Sequence, residues 1–276
     1  MKKAINRDTQ LCISISARPS NFGTRFHNYL YDHLDLDYIY KAFAIKDVAG
    51  AIAGIRALGI RGSAVSMPFK EACIEWLDEL DVSAKSIMSV NTIVNTQGYL
   101  KAYNTDYIAV AHLLQNPAMN HDIPFVLKGS GGMAKAVLGA LADSGFKHGI
   151  ILARNQERGQ ALATHYHYRY VTDEQDLQPA DLGMLINVTP VGMAGGLEVN
   201  DLAFPAELIA QAQVIFDVVA LPVETPMIKL ARSLGKTVIS GADVGVIQAV
   251  EQFVLYTGIR PSADLIQQAA DFARQV

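Results

Sequence analysis

The stretch Ile123-Pro124-Phe125-Val126-Leu127-Lys128-Gly129-Ser130-Gly131-Gly132-Met133-Ala134-Lys135-Ala136 decides the fold. It reads as a short apolar strand, a glycine turn and the start of a helix. Gly129, Gly131 and Ala134 keep the G-x-G-x-x-G/A spacing of a dinucleotide-binding turn. The first glycine permits the tight turn, the second lets backbone approach a pyrophosphate, and the small Ala134 lets the helix pack close to the strand. The helix start then offers free N–H groups and a positive dipole end. Met133, Ala134, Val137, Leu138 and Leu141 fall at helical spacing behind the turn, and Gly145 ends the helix. The whole turn, Gly129 to Ala134 with Ser130, Gly132 and Met133 included, is the candidate phosphate cradle.

The next strand, His148–Leu152, selects the dinucleotide. An NAD site places Asp or Glu about 20 residues past the turn to hold the ribose hydroxyls. This strand instead runs into Ala153-Arg154-Asn155, with Arg158 one turn on. Guanidiniums with no carboxylate favour a 2′-phosphate, hence NADP. The plain alternative is a pair of solvated arginines at a helix start.

Working outward, later strands are expected at Tyr168–Val171, Met184–Asn187, Val214–Val218 and Thr237–Ile239, with Thr225-Pro226 opening a helix. Gly241 hands over to two helices, about Val244–Tyr256 and Ser262–Arg274. Upstream, strands are expected at Leu11–Ser16, Tyr38–Phe43 and Ile60–Ser66. Helices are expected over Phe26–His33, after Asp47 up to Gly59, and over Phe69–Leu80. Met88–Val94 and Tyr99–Ala102 read as a hairpin around Asn95-Thr96-Gln97-Gly98. The alternation predicts an α/β protein with mainly parallel sheet. Asn116-Pro117 through Asp122 marks a boundary, so residues 1–115 and 244–276 are expected as one domain and 116–243 as the nucleotide domain.

The 276 residues suffice for two modest domains. A net charge of −4 without a basic run argues against a nucleic-acid partner. No apolar run after Met1-Lys2-Lys3 resembles a signal peptide, and none is long enough to span a membrane. Cys12 and Cys73 are isolated and suit a reducing cytosol, so a cytoplasmic location is expected. His165 and His167 alternate as on one face of an edge strand, with no third ligand, and no metal site is expected.

Three segments bear chemistry: Ser66-Met67-Pro68-Phe69-Lys70 beyond a strand end, Asn91-Thr92, and Asn104-Thr105-Asp106 where the hairpin meets a helix. Each alone has a dull reading, as a solvated lysine, a helix cap or a turn residue. Their combination with the glycine turn is more telling. Together with Ala64 to Lys70, Ser89 to Ile93, Gly129 to Ala136, Ile186-Asn187-Val188-Thr189-Pro190-Val191-Gly192-Met193 and Gly241 through Gln248, they make the chain resemble the shikimate dehydrogenase family nearly end to end.

That resemblance implies an N-terminal α/β catalytic domain, a Rossmann NADP-binding domain, C-terminal helices returning to the first domain, and a place in the chorismate pathway of aromatic amino acid synthesis. It implies Lys70 and Asp106 as the catalytic pair, Ser66, Asn91 and Gln248 as substrate-binding residues, and Thr189, Pro190 and Met193 near the nicotinamide. Val218 and Gly241 join Arg154, Asn155 and Arg158 in the implied cofactor set. It implies shikimate and 3-dehydroshikimate as the reacting pair, in a monomer or homodimer.

The departures concentrate at the substrate. The family holds the substrate carboxylate with Ser-x-Ser-Pro-x-x-His-Asn; counted back from His27-Asn28, this chain has Asn21 and Gly23 at the serine positions. Ala64, Ala109, Ala153 and Ala220 replace the family's usual Asn, Gly, Asn and Tyr. Asn21 keeps one donor, so the expectation is a divergent branch with weak shikimate binding, KM toward or above ~1 mM, unless Ser14, Ser16 and Ser20 serve in a rebuilt loop. Quinate or an amino-substituted acid is the other substrate expectation, and a non-catalytic NADP sensor the rival. The retained Lys70 and Asp106 count against the sensor. Methylenetetrahydrofolate dehydrogenases share the architecture but fit the Asn-Thr-Asp and C-terminal glutamine segments less well.

Overall fold

The structure is a computed structural model and describes residues 4–117 and 119–275. The opening Met-Lys-Lys and Ala118, within the expected boundary stretch, lie outside the described residues. The chain divides into two compact units, residues 1–108 with 246–276 and residues 109–245. Both changeovers fall inside helices rather than in the Asn116–Asp122 stretch, because continuous helical hydrogen bonding leaves no loop to mark them.

In the first unit the order is β1 (Gln10–Ser16), α1 (Phe22–His33), β2 (Tyr38–Ala44), α2 (Val48–Ala57), β3 (Gly62–Val65), α3 (Phe69–Ala72), β4 (Glu79–Leu80), α4 (Val82–Lys85), β5 (Thr92–Thr96), β6 (Tyr99–Tyr103) and the start of α5 (Thr105–Leu114). The sheet runs β2-β1-β3-β5-β6-β4. Pairing is parallel for β1 with β2, β1 with β3 and β4 with β6 but antiparallel for β3 with β5 and β5 with β6, so this sheet is mixed. The turn narrows to Gln97-Gly98, at φ 53° and 89°, the positive pair that matches hairpin twist. The strand expected from Met88 begins only at Thr92, and Met88 itself sits at φ 47°, outside strand geometry.

The helix expected over Phe69–Leu80 also breaks. One helical turn gives way to a 3-10 turn at Ile74–Trp76 and then to β4, which pairs with Lys101 and Ala102. Asp78 holds this geometry, accepting from Leu100 N at 2.6 Å and from Arg56 at 2.7 Å. Tertiary pairing overrides local helix preference here. Alternation along β1 sends Cys12 to one face and Ile13 and Ile15 to the other. The Cys12 face packs on Phe26 and Leu30 of α1, and on the helices α10 (Gly241–Thr257), through Phe253 and Tyr256, and α11 (Ala263–Arg274), through Ala269 and Ala270. The opposite face packs on Ile52, Ile55 and Phe69. Each large side chain fully buried in this way contributes roughly 1.5–3 kcal/mol. Burial also pushes the free thiols of Cys12 and Cys73 up to about 12, leaving them inert.

In the second unit β7 (Phe125–Lys128), α6 (Gly132–Asp143), β8 (Gly149–Leu152), α7 (Gln156–Tyr166), β9 (Arg169–Val171), β10 (Met184–Asn187), α8 (Ala206–Gln211), β11 (Val214–Asp217), α9 (Pro226–Ser233) and β12 (Thr237–Ser240) follow one another. The order β12-β11-β10-β7-β8-β9, parallel throughout, is the doubly wound dinucleotide arrangement. His165 and His167 do not share a strand. Asn155 caps α7 and the helix runs on through His165, while His167 takes the left-handed C-cap at φ 59°. No helix among the described residues is long and apolar enough to cross a membrane.

Candidate active site

The first unit carries a cavity of about 330 Å³. It opens at the carboxyl ends of β1 and β3, where open α/β sheets place ligands. β1 and the loop behind it contribute Ser14, Ser16, Arg18 and Ser20; Ser66 follows β3; Lys70, Asn91, Asp106, Gln248 and Gln252 complete the polar wall. Of the expected residues, Lys70, Asp106, Ser66, Asn91 and Gln248 are thus brought together, from segments far apart in the chain.

Lys70 Nζ lies 2.5 Å from Asp106 Oδ2, with side chains 19% and 13% exposed. Local structure fixes both. Lys70 lies in the single turn of α3. Asp106 lies in the first turn of α5, but it is Asn104 that caps this turn, its Oδ1 accepting from Tyr107 N at 2.9 Å. Asp106 is therefore released from capping and faces the lysine. Asn104 is itself held by its Nδ2 donating to Ser89 O at 2.9 Å.

Asn91 is 3% exposed. Its Oδ1 accepts from Thr105 N at 2.7 Å, Thr105 Oγ1 at 3.0 Å and Thr92 Oγ1 at 2.8 Å. The Asn91 Nδ2 has no partner among the described residues and is the donor left for a ligand. Gln252 braces this corner, donating to Thr92 Oγ1 at 3.0 Å and Asn91 O at 3.2 Å. Gln248, one turn earlier on α10, makes no hydrogen bond to any described residue.

Asn21, expected among the substrate residues, is not part of the wall. It is exposed at the N-terminal end of α1 and makes no capping bond. The segment between β1 and α1 instead presents residues upstream of it. Sequence reading missed Arg18, Tyr40 and Gln252 altogether. A signal existed for Gln252, which stands four residues after Gln248 on one helix face. Beneath the site, His27 is fully buried and stacks on Tyr40 at 4.4 Å. Burial pushes its pKa down to about 3, and the nearby Gln252 amide pulls only weakly the other way, so the ring stays neutral.

The second unit holds the glycine turn. Gly129 sits at φ 124°, and a Cβ there would stand 2.8 Å from Val188 Cγ2, so only glycine fits. A Cβ on Gly131 or Gly132 would meet nothing within 4 Å, leaving open space before the first N–H groups of α6. Ala134 is fully buried against the sheet. Arg154 and Arg158 are exposed at the start of α7, and their guanidiniums have no partner among the described residues. Asn155 caps that helix through Oδ1, accepting from Arg158 N at 2.9 Å.

Thr189 is fixed by Asn187, whose Oδ1 accepts from its N at 2.9 Å and its Oγ1 at 2.6 Å. Pro190 and Met193 follow, exposed. Gly241 is required by close approach, since a Cβ there would lie 2.3 Å from Val218 O. These positions cluster beyond the carboxyl ends of β7, β8, β10, β11 and β12, about the reversal of strand order between β7 and β10. An open cradle at a helix start beside two unpaired guanidiniums suits a phosphorylated dinucleotide.

Comparison with known proteins agrees with this geometry. Residues 20–93 match the shikimate dehydrogenase substrate binding domain. A shikimate dehydrogenase-like protein of Haemophilus influenzae is 58% identical over 98% of this chain and 98% of its own. The NADP(+) shikimate dehydrogenase of Pyrococcus abyssi is 32% identical over 88% of this chain and 90% of its own. A solved shikimate 5-dehydrogenase-like protein, 57% identical, superposes with a TM-score of 0.93 over 99% of this chain and all of its own. The chain belongs to the shikimate dehydrogenase family, in a divergent, shikimate dehydrogenase-like branch of it.

Proposed function

We propose that this protein is an NADP-dependent oxidoreductase that interconverts a cyclic hydroxy acid, shikimate first among them, and its ketone, 3-dehydroshikimate. The observation that carries the reading is the Lys70–Asp106 pair at 2.5 Å in the wall of a polar cavity. Asp106 holds the Lys70 side chain so that Nζ meets the substrate hydroxyl. On oxidation Lys70 Nζ, having given its own proton to solvent, takes the hydroxyl proton as the carbon–oxygen double bond forms, and on reduction the ammonium returns it. Asn91 Nδ2 and the Gln248 amide orient the remaining hydroxyls. Gly129 to Ala134, Arg154, Arg158, Thr189, Pro190, Met193, Val218 and Gly241 would hold NADP, which when bound supplies the hydride acceptor.

Similarity to the NADP(+) enzyme of Pyrococcus abyssi supports the cofactor assignment. NADP reduction followed by absorbance across shikimate, quinate and other cyclic hydroxy acids tests the reading. Turnover of shikimate that disappears in Lys70→Ala is expected. Absence of turnover of every acid with NADP and with NAD would remove it.

A further inference from the structure

We propose that Arg18 and Ser16 form the subsite that takes the carboxylate of the substrate. The proposal rests on the cyclic hydroxy-acid reading above and names the part of the cavity that reads its acid group. Charge is the first argument. The cavity wall carries three charged side chains, and two of them, Lys70 and Asp106, neutralise each other. Arg18 has no ion pair or hydrogen bond among the described residues, so the cavity keeps one uncompensated positive charge. That charge selects an anion, and a guanidinium suits a planar carboxylate because it can donate two parallel bonds.

An independent observation comes from Ser16. It is 4% exposed, lines the cavity, and its Oγ has no hydrogen-bond partner among the described residues. Buried hydroxyls are seldom left unsatisfied, and those that are need an explanation. A ligand oxygen accepting from Oγ supplies one. The backbone around this hydroxyl is pinned: Ser16 O accepts from Ile45 N at 2.9 Å, and Ala17 N donates to Met67 O at 3.1 Å. Ser14, two residues back, projects from the same face of β1 near the Tyr40 hydroxyl.

The positions where the family keeps its two serines offer the cavity no side-chain donor. Asn21 lies outside the wall, and Gly23 lines it with backbone alone. The acid-binding donors have therefore moved upstream to the end of β1, with a cation added.

The test measures calorimetric binding of shikimate and of its methyl ester, a neutral analogue of similar shape, to the full chain and to Arg18→Gln and Ser16→Ala. Arg18 is exposed and unpartnered, so Arg18→Gln should fold normally. The unmodified protein should prefer the acid, and Arg18→Gln should weaken acid binding about tenfold to a hundredfold while leaving the ester unchanged. Ser16→Ala should weaken acid binding severalfold without lowering the melting temperature, because the hydroxyl bonds no other described residue. Equal loss for acid and ester, no loss in Arg18→Gln, or no binding of the acid to the unmodified protein would each overturn the proposal. Binding is read apart from turnover. An acid that binds through Arg18 but is never oxidised would refute the proposed reaction and leave the subsite standing. Turnover with unchanged acid affinity in Arg18→Gln would do the reverse.

Discussion

The glycine turn of the second unit and the polar cavity of the first both sit at the carboxyl ends of strands, yet they are made differently. Gly129 to Ala134 form a turn of six consecutive residues, where backbone would do most of the proposed recognition. The cavity draws the side chains of Ser16, Lys70, Asn91, Asp106 and Gln248 from five separate segments. A site made of contiguous backbone depends on local conformation. A site assembled from distant side chains depends on every element that delivers one. The first should tolerate side-chain change and fail on a misplaced Cβ, whereas the second should fail on single-atom changes.

The largest expected effect is at the assembled site. Lys70→Ala should lower kcat by on the order of 10²–10⁴ with the fold intact by circular dichroism. Asp106→Asn should also lower it, and the double variant should lose less than the sum of the two. Steady-state kinetics on the three variants checks this, and additive losses would show that the pair does not act as a unit.

Next in size is a difference in pH response between the units. His27, in the first, has its pKa depressed to about 3 by burial. The unfolded chain then binds the proton more readily, so stability should fall as pH drops from about 6.5 toward 3, by up to about 1.4 kcal/mol per pH unit. Asp217, in the second, is fully buried, and burial raises its pKa despite bonds from Thr225 Oγ1 at 2.7 Å and Asn187 Nδ2 at 2.9 Å. Its native state holds the proton more tightly. Its contribution is therefore full below the ordinary carboxyl range and is lost as pH rises through the raised value. Hydrogen exchange on mild acidification should show protection lost first around α1 and β2. His27→Phe should flatten that loss, and an unchanged pH profile in the variant would exclude His27 as its source.

The glycine turn offers a paired test. Gly129→Ala meets Val188 at φ 124° and should destabilise the fold by about 1–3 kcal/mol. Gly131→Ala meets nothing within 4 Å, so its melting temperature should hold while NADP affinity falls. Thermal unfolding and calorimetry on both variants separate the roles, and intact NADP affinity in Gly131→Ala would refute the cradle.

The smallest effect is expected at Arg154. Arg154→Ala should cut the preference for NADP over NAD roughly tenfold, the value of one charge-assisted bond in an exposed place. Equal affinity of the unmodified protein for the two cofactors would refute the assignment of the arginines.

Much of the second unit was legible in the sequence. The strand–glycine–helix run and the Thr225-Pro226 helix start are both local signals, and the structure places each where its residues predict. The first unit was legible where the signal was local, as at the Asp47 cap of α2, and misleading where pairing partners decide. Phe69–Leu80 has helical periodicity, but Glu79 and Leu80 gain more by joining β6.

The cavity wall divides in the same way. Lys70, Asn91 and Asp106 stand in recognisable segments, and sequence alone named them. Counting back from His27-Asn28 chose Asn21, because counting assumes that loop residues keep their places. Only the folded chain shows Ser16 and Arg18 at the cavity and Asn21 outside it. Sequence determined the glycine turn and the α/β alternation, since each follows from residue type and short-range spacing. Tertiary structure decided the mixed first sheet, the break after α3 and the donors lining the cavity. Those rest on free energy gained between segments far apart in the chain, which no local pattern records.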